Sequence, residues 1–118
     1  MTKAGTHPGI CGFVTTIEVT KSGKRRVSVN IVSDCEKVSK LKGSLAELDA
    51  WDPLKGITDS EVHRQASRFG LHSTCPVPIA ILKTIEVETG LALCRDVAIH
   101  FETSEHDRLH VKNSVERK

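Results

Sequence analysis

Aromatic side chains are nearly missing from this chain, which has three Phe, one Trp and no Tyr in 118 residues. A core built without rings has to come from Val, Ile, Leu and Ala. The stacking platforms that hold single-stranded nucleic acid are also excluded. Neither sign of charge dominates: 17 basic and 15 acidic side chains leave a net charge of +2, so no strongly charged partner is implied. The one basic knot, KSGKRR at residues 21–26, has no aromatic residue interleaved and reads as a solvated hairpin tip rather than a nucleic-acid site. No stretch approaches the ~20 apolar residues of a membrane span. The N-terminal MTKAGTHPG lacks the apolar run of a signal peptide, so the expected location is the cytoplasm. The phosphate-binding glycine loops, the paired C-x-x-C of zinc fingers and a serine in a nucleophile elbow are all missing too. These absences point to a binding protein rather than a classical enzyme.

The length fits one domain with a single modest core. Residues 1–102 carry the structural patterns, and residues 103–118 read as a polar tail whose apolar residues are Leu109, Val111 and Val115. Phe13, Thr15, Ile17 and Val19 alternate with Val14, Thr16 and Glu18, and Val27, Val29 and Ile31 repeat the alternation. With Gly23 between them free to take positive φ, these runs predict a β-hairpin with one buried face.

The period then changes. Ser33 and Glu36 have capping-box spacing ahead of an apolar helical stripe at Val38, Leu41, Leu45 and Leu48. A second such box, Thr58 to Glu61, opens a shorter helix with Val62, Ala66 and Phe69 inward and Gly70 as its stop. The third helix starts at Thr74 or Cys75 beside Pro76, turns Ile79, Leu82 and Ile85 inward, and stops at Gly90. Finally Val97, Ile99 and Phe101 alternate against Ala98, His100 and Glu102, predicting a third strand that joins the hairpin sheet. The expected fold is α+β, in the order β-β-α-α-α-β: a small antiparallel or mixed sheet covered by about three helices.

Four cysteines are present, and three stand at junctions between elements. Cys11 lies between Gly9 and Gly12 at the foot of the first hairpin strand, Cys35 at a helix start, and Cys75 at another. Helix N-termini carry unpaired N–H groups and the positive end of the macrodipole, which favour a thiolate, the form that binds soft metals or attacks electrophiles. The hairpin should return the chain so that Cys11 and Cys35 become neighbours. His72, three residues before Cys75, and His7, four before Cys11, are candidate fourth ligands, and Asp34 is a possible oxygen ligand or proton acceptor. Cys94, in GLALCRDV, reads as a core position, with a place as an additional ligand of the site left open. The other histidines, including His100, His106 and His110, read as solvated. The even cysteine count permits two disulfides, but a reducing compartment favours free or metal-bound thiols.

The segments PGICGFVTTIEV, VNIVSDCEKV and CPVPIAILKTIEVETGLAL, with the closing strand, resemble a family of small uncharacterised proteins of methanogenic archaea and anaerobic bacteria. The order of the three cysteines is also similar to the NifU-like iron–sulfur cluster scaffolds. That likeness implies a transient [2Fe–2S] cluster on Cys11, Cys35 and Cys75, with a histidine or aspartate completing it. Phe13 stands where those scaffolds have an aspartate, and His72 lies two residues further from Cys75 than their histidine does.

The expected function is therefore cysteine-based binding of an iron–sulfur cluster or zinc ion, with a protein acceptor as the downstream partner and a homodimer as an allowed assembly. The alternatives are a metal-free thiol redox or persulfide carrier, and an interaction module with structural cysteines.

Overall fold

The computed structural model describes residues 1–103. Its fold is α+β, a four-stranded antiparallel sheet with three helices packed on one face. The strands are β1 (Thr2–Thr6), β2 (Thr15–Gly23), β3 (Arg26–Ser33) and β4 (Glu47–Asp49), lying in the sheet in that order. The helices are α1 (Glu36–Ser44), α2 (Glu61–Arg68) and α3 (Val77–Glu88), with a short 3-10 turn over Asp52–Leu54. The polar tail expected at residues 103–118 lies, past Thr103, outside the described residues.

The predicted hairpin is β2 and β3, paired from Thr15↔Ser33 through Ile17↔Ile31 and Val19↔Val29. The period-2 pattern sends Ile17, Val19, Val27, Val29 and Ile31 into the core, where Val38 and Leu41 from α1, Leu45 just after it, Val62 from α2 and Val77, Ile81 and Ile85 from α3 meet them. The opposite face, with Glu18, Thr20, Ser28 and Asn30, is polar. One periodicity therefore decides which side the helices cover. Gly23 has no positive φ; an irregularity between Lys21 and Gly23 and a tight turn through Lys24 and Arg25 reverse the chain instead.

The observed order, β-β-β-α-β-α-α, departs from the expected one at three places. The N-terminal residues form β1, whose Ala4 lies opposite Ile17 and Thr6 opposite Thr15. Leu48 leaves the helical stripe because α1 ends at Ser44, and it reaches the core from β4, opposite Val27. The predicted strand over residues 94–102 is absent. From residue 93 to 103 the described chain forms no helix or strand, and Val97 and Ile99 are exposed.

Both capping boxes are also replaced. Cys35 is the N-cap residue of α1, since Ser33 is still the last residue of β3. Ser60, not Thr58, caps α2 and accepts from the His63 N–H. On α3 the inward residues are Val77, Pro78, Ile81, Thr84 and Ile85; Ile79 is exposed, so the buried face is turned from the one the spacing suggested. Gly70 and Gly90, at φ 74° and 77°, end their helices in the left-handed region as expected.

The hairpin turn is tied to β4 by charge. Arg25 donates Nε and Nη2 to the two carboxylate oxygens of Asp49 at 3.0 and 3.1 Å, and its guanidinium lies 3.9 Å from the Trp51 ring centroid. This arginine, with the Trp51 N–H, holds the Asp49 carboxyl down to about 2 from its usual 3.8. A depressed carboxylate pKa stabilises the fold above its unfolded value, and the contribution is lost as pH falls from about 4 toward about 2. Asp49→Asn should therefore flatten the stability profile across that window and leave its slope above pH ~5 unchanged. Urea midpoints measured along the pH series would show this; an unaltered acid slope in the variant would mean that the pair contributes nothing.

Candidate thiol site at one end of the sheet

Three cysteines reach one end of the sheet by three separate routes. The β2–β3 register sets Thr15 against Ser33, so the loop before Thr15 and the start of α1 after Ser33 flank the same end. Cys11 lies in that loop, inside a turn closed by the Gly12 N–H to the Gly9 carbonyl at 3.1 Å. Gly9 and Gly12 have φ of 87° and 71°, which other residues adopt only with strain, so these two glycines make the turn possible. Cys35 follows directly, with its N–H donated to Ser33 Oγ at 3.1 Å.

Cys75 arrives through the orientation of α3. Near the C-terminus of that helix, Glu88 accepts from Thr2 Oγ1 at 2.7 Å and from the Lys21 N–H at 3.3 Å, pinning this end of α3 beside the hairpin turn. Twelve helical residues span about 18 Å, close to the ~20 Å from Lys21 back to Thr15 along β2. The N-terminus of α3 therefore lies over the Thr6–Thr15–Ser33 end, which brings Cys75 to Cys11 and Cys35.

Cys35 and Cys75 are half-buried against the core, while Cys11 is exposed; all are free thiols. Burial pushes the Cys75 thiol up. The Val77 N–H at the start of α3 pulls it down, and negative charge on the nearby Cys35 and Cys11 sulfurs pushes it up again. The Cys75 sulfur thus lies near those of Cys35 and Cys11. Coulomb interaction, however, reaches further than ligand spacing: among the described residues, no group of three or more His, Cys, Asp or Glu side chains is gathered closely enough to hold a metal ion. Cys11 is the solvent-exposed member of the three.

The other candidates divide clearly. His72 is exposed in the turn before α3, where its carbonyl accepts the Cys75 N–H at 3.0 Å. His7 follows β1 and Asp34 follows β3, so both are exposed at the thiol end. Cys94 is exposed rather than a core residue. It follows Ala92, whose N–H is held by the Glu86 carbonyl at the C-terminal end of α3, so it lies at the far end of the helix from Cys75.

A row of hydroxyls under this end carries no motif in the sequence. Thr6, Thr15 and Ser33 face the helices side by side across β1, β2 and β3. Thr15 donates to Ser33 Oγ at 2.8 Å, and Ser33 Oγ also accepts from Cys35, so the row connects to the α1 N-cap. Thr6 is 7% exposed, and its Oγ1 has no hydrogen-bond partner among the described residues. The only hint lay in phase: Thr15 and Ser33 share the alternation of Ile17 and Ile31, which makes both of them inward.

Residues 2–101 match a family of unknown function, DUF6951, and with nearly the whole chain covered the protein belongs to it. No curated protein and no solved structure matches the chain. No helix among the described residues is long and apolar enough to cross a membrane.

Proposed function

For this member of the DUF6951 family we propose that Cys11, Cys35 and Cys75 bind a soft metal ion or an iron–sulfur cluster, and that the protein carries it rather than turning over a substrate. The observation that supports this is the meeting of three cysteines from separate parts of the chain at one sheet end, two of them at helix N-termini. Thiolates crowded together repel, and a bound cation relieves that repulsion while the helix N–H groups favour the charged sulfurs. Binding draws the exposed Cys11 turn toward Cys35 and Cys75, and His72 supplies the fourth ligand, with His7 and Asp34 as the other donors at that end. Zinc would complete a tetrahedron of three sulfurs and one nitrogen. A cluster would keep one side open toward a protein acceptor, as in the NifU-like scaffolds that the cysteine order resembles. The cytoplasm, a reducing compartment, would keep the thiols available.

A metal-free reading is favoured by the absence of a ligand-spaced trio among the described residues. Two sulfurs, those of Cys35 and Cys75, suffice for a persulfide carrier or a redox disulfide, with an external oxidant taking the two electrons when the S–S bond forms.

Cobalt(II) titration of protein prepared without oxygen decides between them. Metal binding predicts sulfur-to-cobalt charge-transfer bands, at least ten-fold weaker affinity in Cys35→Ser and Cys75→Ser, and no change in Cys94→Ser. Iron, sulfide and zinc analysis of the same preparation identifies the cargo. An unaltered affinity in Cys35→Ser would end the metal reading. Rapid iodoacetamide labelling of metal-free protein below the ordinary thiol pKa would then favour thiol exchange.

A further inference from the structure

Two buried side-chain atoms among the described residues have no hydrogen-bond partner, Gln65 Oε1 and Thr6 Oγ1. The Gln65 amide still donates to Glu61 at 2.7 Å, so that side chain keeps one bond within its own helix. Thr6 has no such outlet: it is 7% exposed, and its hydroxyl neither donates nor accepts. Leaving a buried hydroxyl unmet is costly, and valine would fill the same space in a strand without that cost. The threonine therefore calls for an explanation.

Its position supplies one. Burial alternates along β1, so Thr2, Ala4 and Thr6 face the helices. The register sets Thr6 beside Thr15 and Thr15 beside Ser33, whose Oγ accepts from the Cys35 N–H. Helix α3 packs over β1 with Glu88 held at the Thr2 end, so its first turn, preceded by Cys75, covers the Thr6 end. Cys11 lies in the loop that leaves Thr6. Yet none of the three sulfurs accepts from the hydroxyl. The Thr6 O–H is thus left for an acceptor that the chain does not supply. Among the described residues the three cysteines are also not gathered at the spacing of ligands to one ion. Both observations fit a guest larger than a single cation, with an acceptor atom of its own.

We propose that the Thr6 hydroxyl donates a hydrogen bond to an inorganic sulfur atom of the guest held by Cys11, Cys35 and Cys75. The inference deepens the reading above and rests on it: the cargo carries sulfur and is not a bare zinc ion. A metal cation offers a hydroxyl proton nothing to bind. A bridging sulfide of an iron–sulfur cluster and the terminal sulfur of a persulfide are both electron-rich acceptors. A donor already fixed by strand and helix holds such a sulfur in place, as outer donors do around metal sites.

The test loads the full chain without oxygen in two ways. It compares Thr6→Val, which deletes the hydroxyl and keeps the shape, with Thr6→Ser, which keeps the hydroxyl. Ferric iron with sulfide probes for a cluster. Inorganic polysulfide probes for a persulfide: a cysteine thiolate attacks the end sulfur, gains it, and releases a polysulfide one atom shorter, with no other oxidant needed. Wild type and Thr6→Ser should hold the loaded sulfur equally long, and Thr6→Val should release it about ten-fold faster. Cobalt(II) affinity should be the same in all three, and Thr6→Val should unfold no earlier than wild type, because it deletes an unmet group. Sulfur lost together with iron identifies a cluster; cyanide-labile sulfur without iron identifies a persulfide. Equal retention in Thr6→Val overturns the proposal and means that this hydroxyl meets only water. A parallel loss of cobalt affinity in Thr6→Val also overturns it, as the mark of a threonine that merely shapes the thiol end. A wild type that binds cobalt through Cys35 but takes up neither form of sulfur overturns it and leaves the metal reading standing. Uptake of neither sulfur nor cobalt ends the two together.

Discussion

Asp52→Ala should lower the stability of the fold by about 3 kcal/mol. The Asp52 carboxylate is 1% exposed, and it holds the start of α2 from eight residues upstream. Its Oδ2 accepts from Ser60 Oγ at 2.7 Å and from the Val62 N–H at 3.2 Å, and its Oδ1 accepts from the Glu61 N–H at 2.8 Å. Lys55 Nζ lies 3.5 Å away and balances the charge. Two of the four N–H groups that α2 cannot satisfy internally are thus taken by one buried anion at the positive end of the helix. Alanine leaves those donors and the Ser60 hydroxyl without an acceptor where water enters poorly, and unmet buried donors are what make such losses large. At roughly 4 °C per kcal/mol the midpoint should fall by about 12 °C. Asp52→Asn keeps one carbonyl acceptor and should cost about half as much. Urea unfolding with an unchanged m-value measures both; a loss below about 1 kcal/mol in Asp52→Ala would show that water takes over the cap.

The N-cap at Ser60 also shows where local pattern stops being informative. A serine or threonine followed by a glutamate at the third position occurs at Ser33 and at Thr58, yet the helices start two residues later in each case. At the first site β3 keeps Ser33 as its last residue, opposite Thr15. At the second, Asp52 selects Ser60. Long-range partners decide between neighbouring caps of nearly equal local merit. The β2–β3 hairpin was legible because five inward residues obey a period of two, and α2 was legible because Val62, Ala66 and Phe69 share one helical face. Nothing in Thr2–Thr6 marks a strand; β1 exists because β2 offers it an edge. The opposite holds for residues 97–101, which have a strand's alternation but form no strand among the described residues.

The candidate site divides in the same way. Cys11 and Cys35 could be brought together from the hairpin alone, since antiparallel pairing returns the chain to its starting end. Cys75 could not, because its place depends on the direction in which α3 crosses the sheet. That direction is set by Glu88 on Thr2 and Lys21, contacts 86 and 67 residues apart in sequence. The unpartnered Thr6 hydroxyl was equally out of reach, since it belongs to a strand that carries no signal. Cys94 looked like a core residue because it follows the apolar run at Leu91 and Leu93, but α3 has already ended at Glu88, and those leucines are exposed.

The seating of α3 gives the second large effect. Ile81 is fully buried on its inner face, between Val77 and Ile85 in the shared core. Ile81→Ala removes three carbons from a packed interior and should cost about 3–4 kcal/mol, the lost transfer energy plus that of a cavity which only partly collapses. Ile79→Ala, on the exposed flank of the same helix, should cost under about 0.5 kcal/mol. Equal losses at the two positions would mean that α3 packs through a different face. The pair also probes how the thiol end is held. The first turn of α3 carries Val77, whose N–H faces the Cys75 sulfur, and burial is the main reason that this thiol is hard to ionise. Loosening the helix at Ile81 should let water reach Cys75 and lower its pKa, so that iodoacetamide labels it faster at a fixed pH under native conditions. The Ile79 variant should label at the wild-type rate. A Cys75 rate unmoved in a destabilised but folded Ile81 variant would show that the N-terminal turn is anchored independently of the rest of α3.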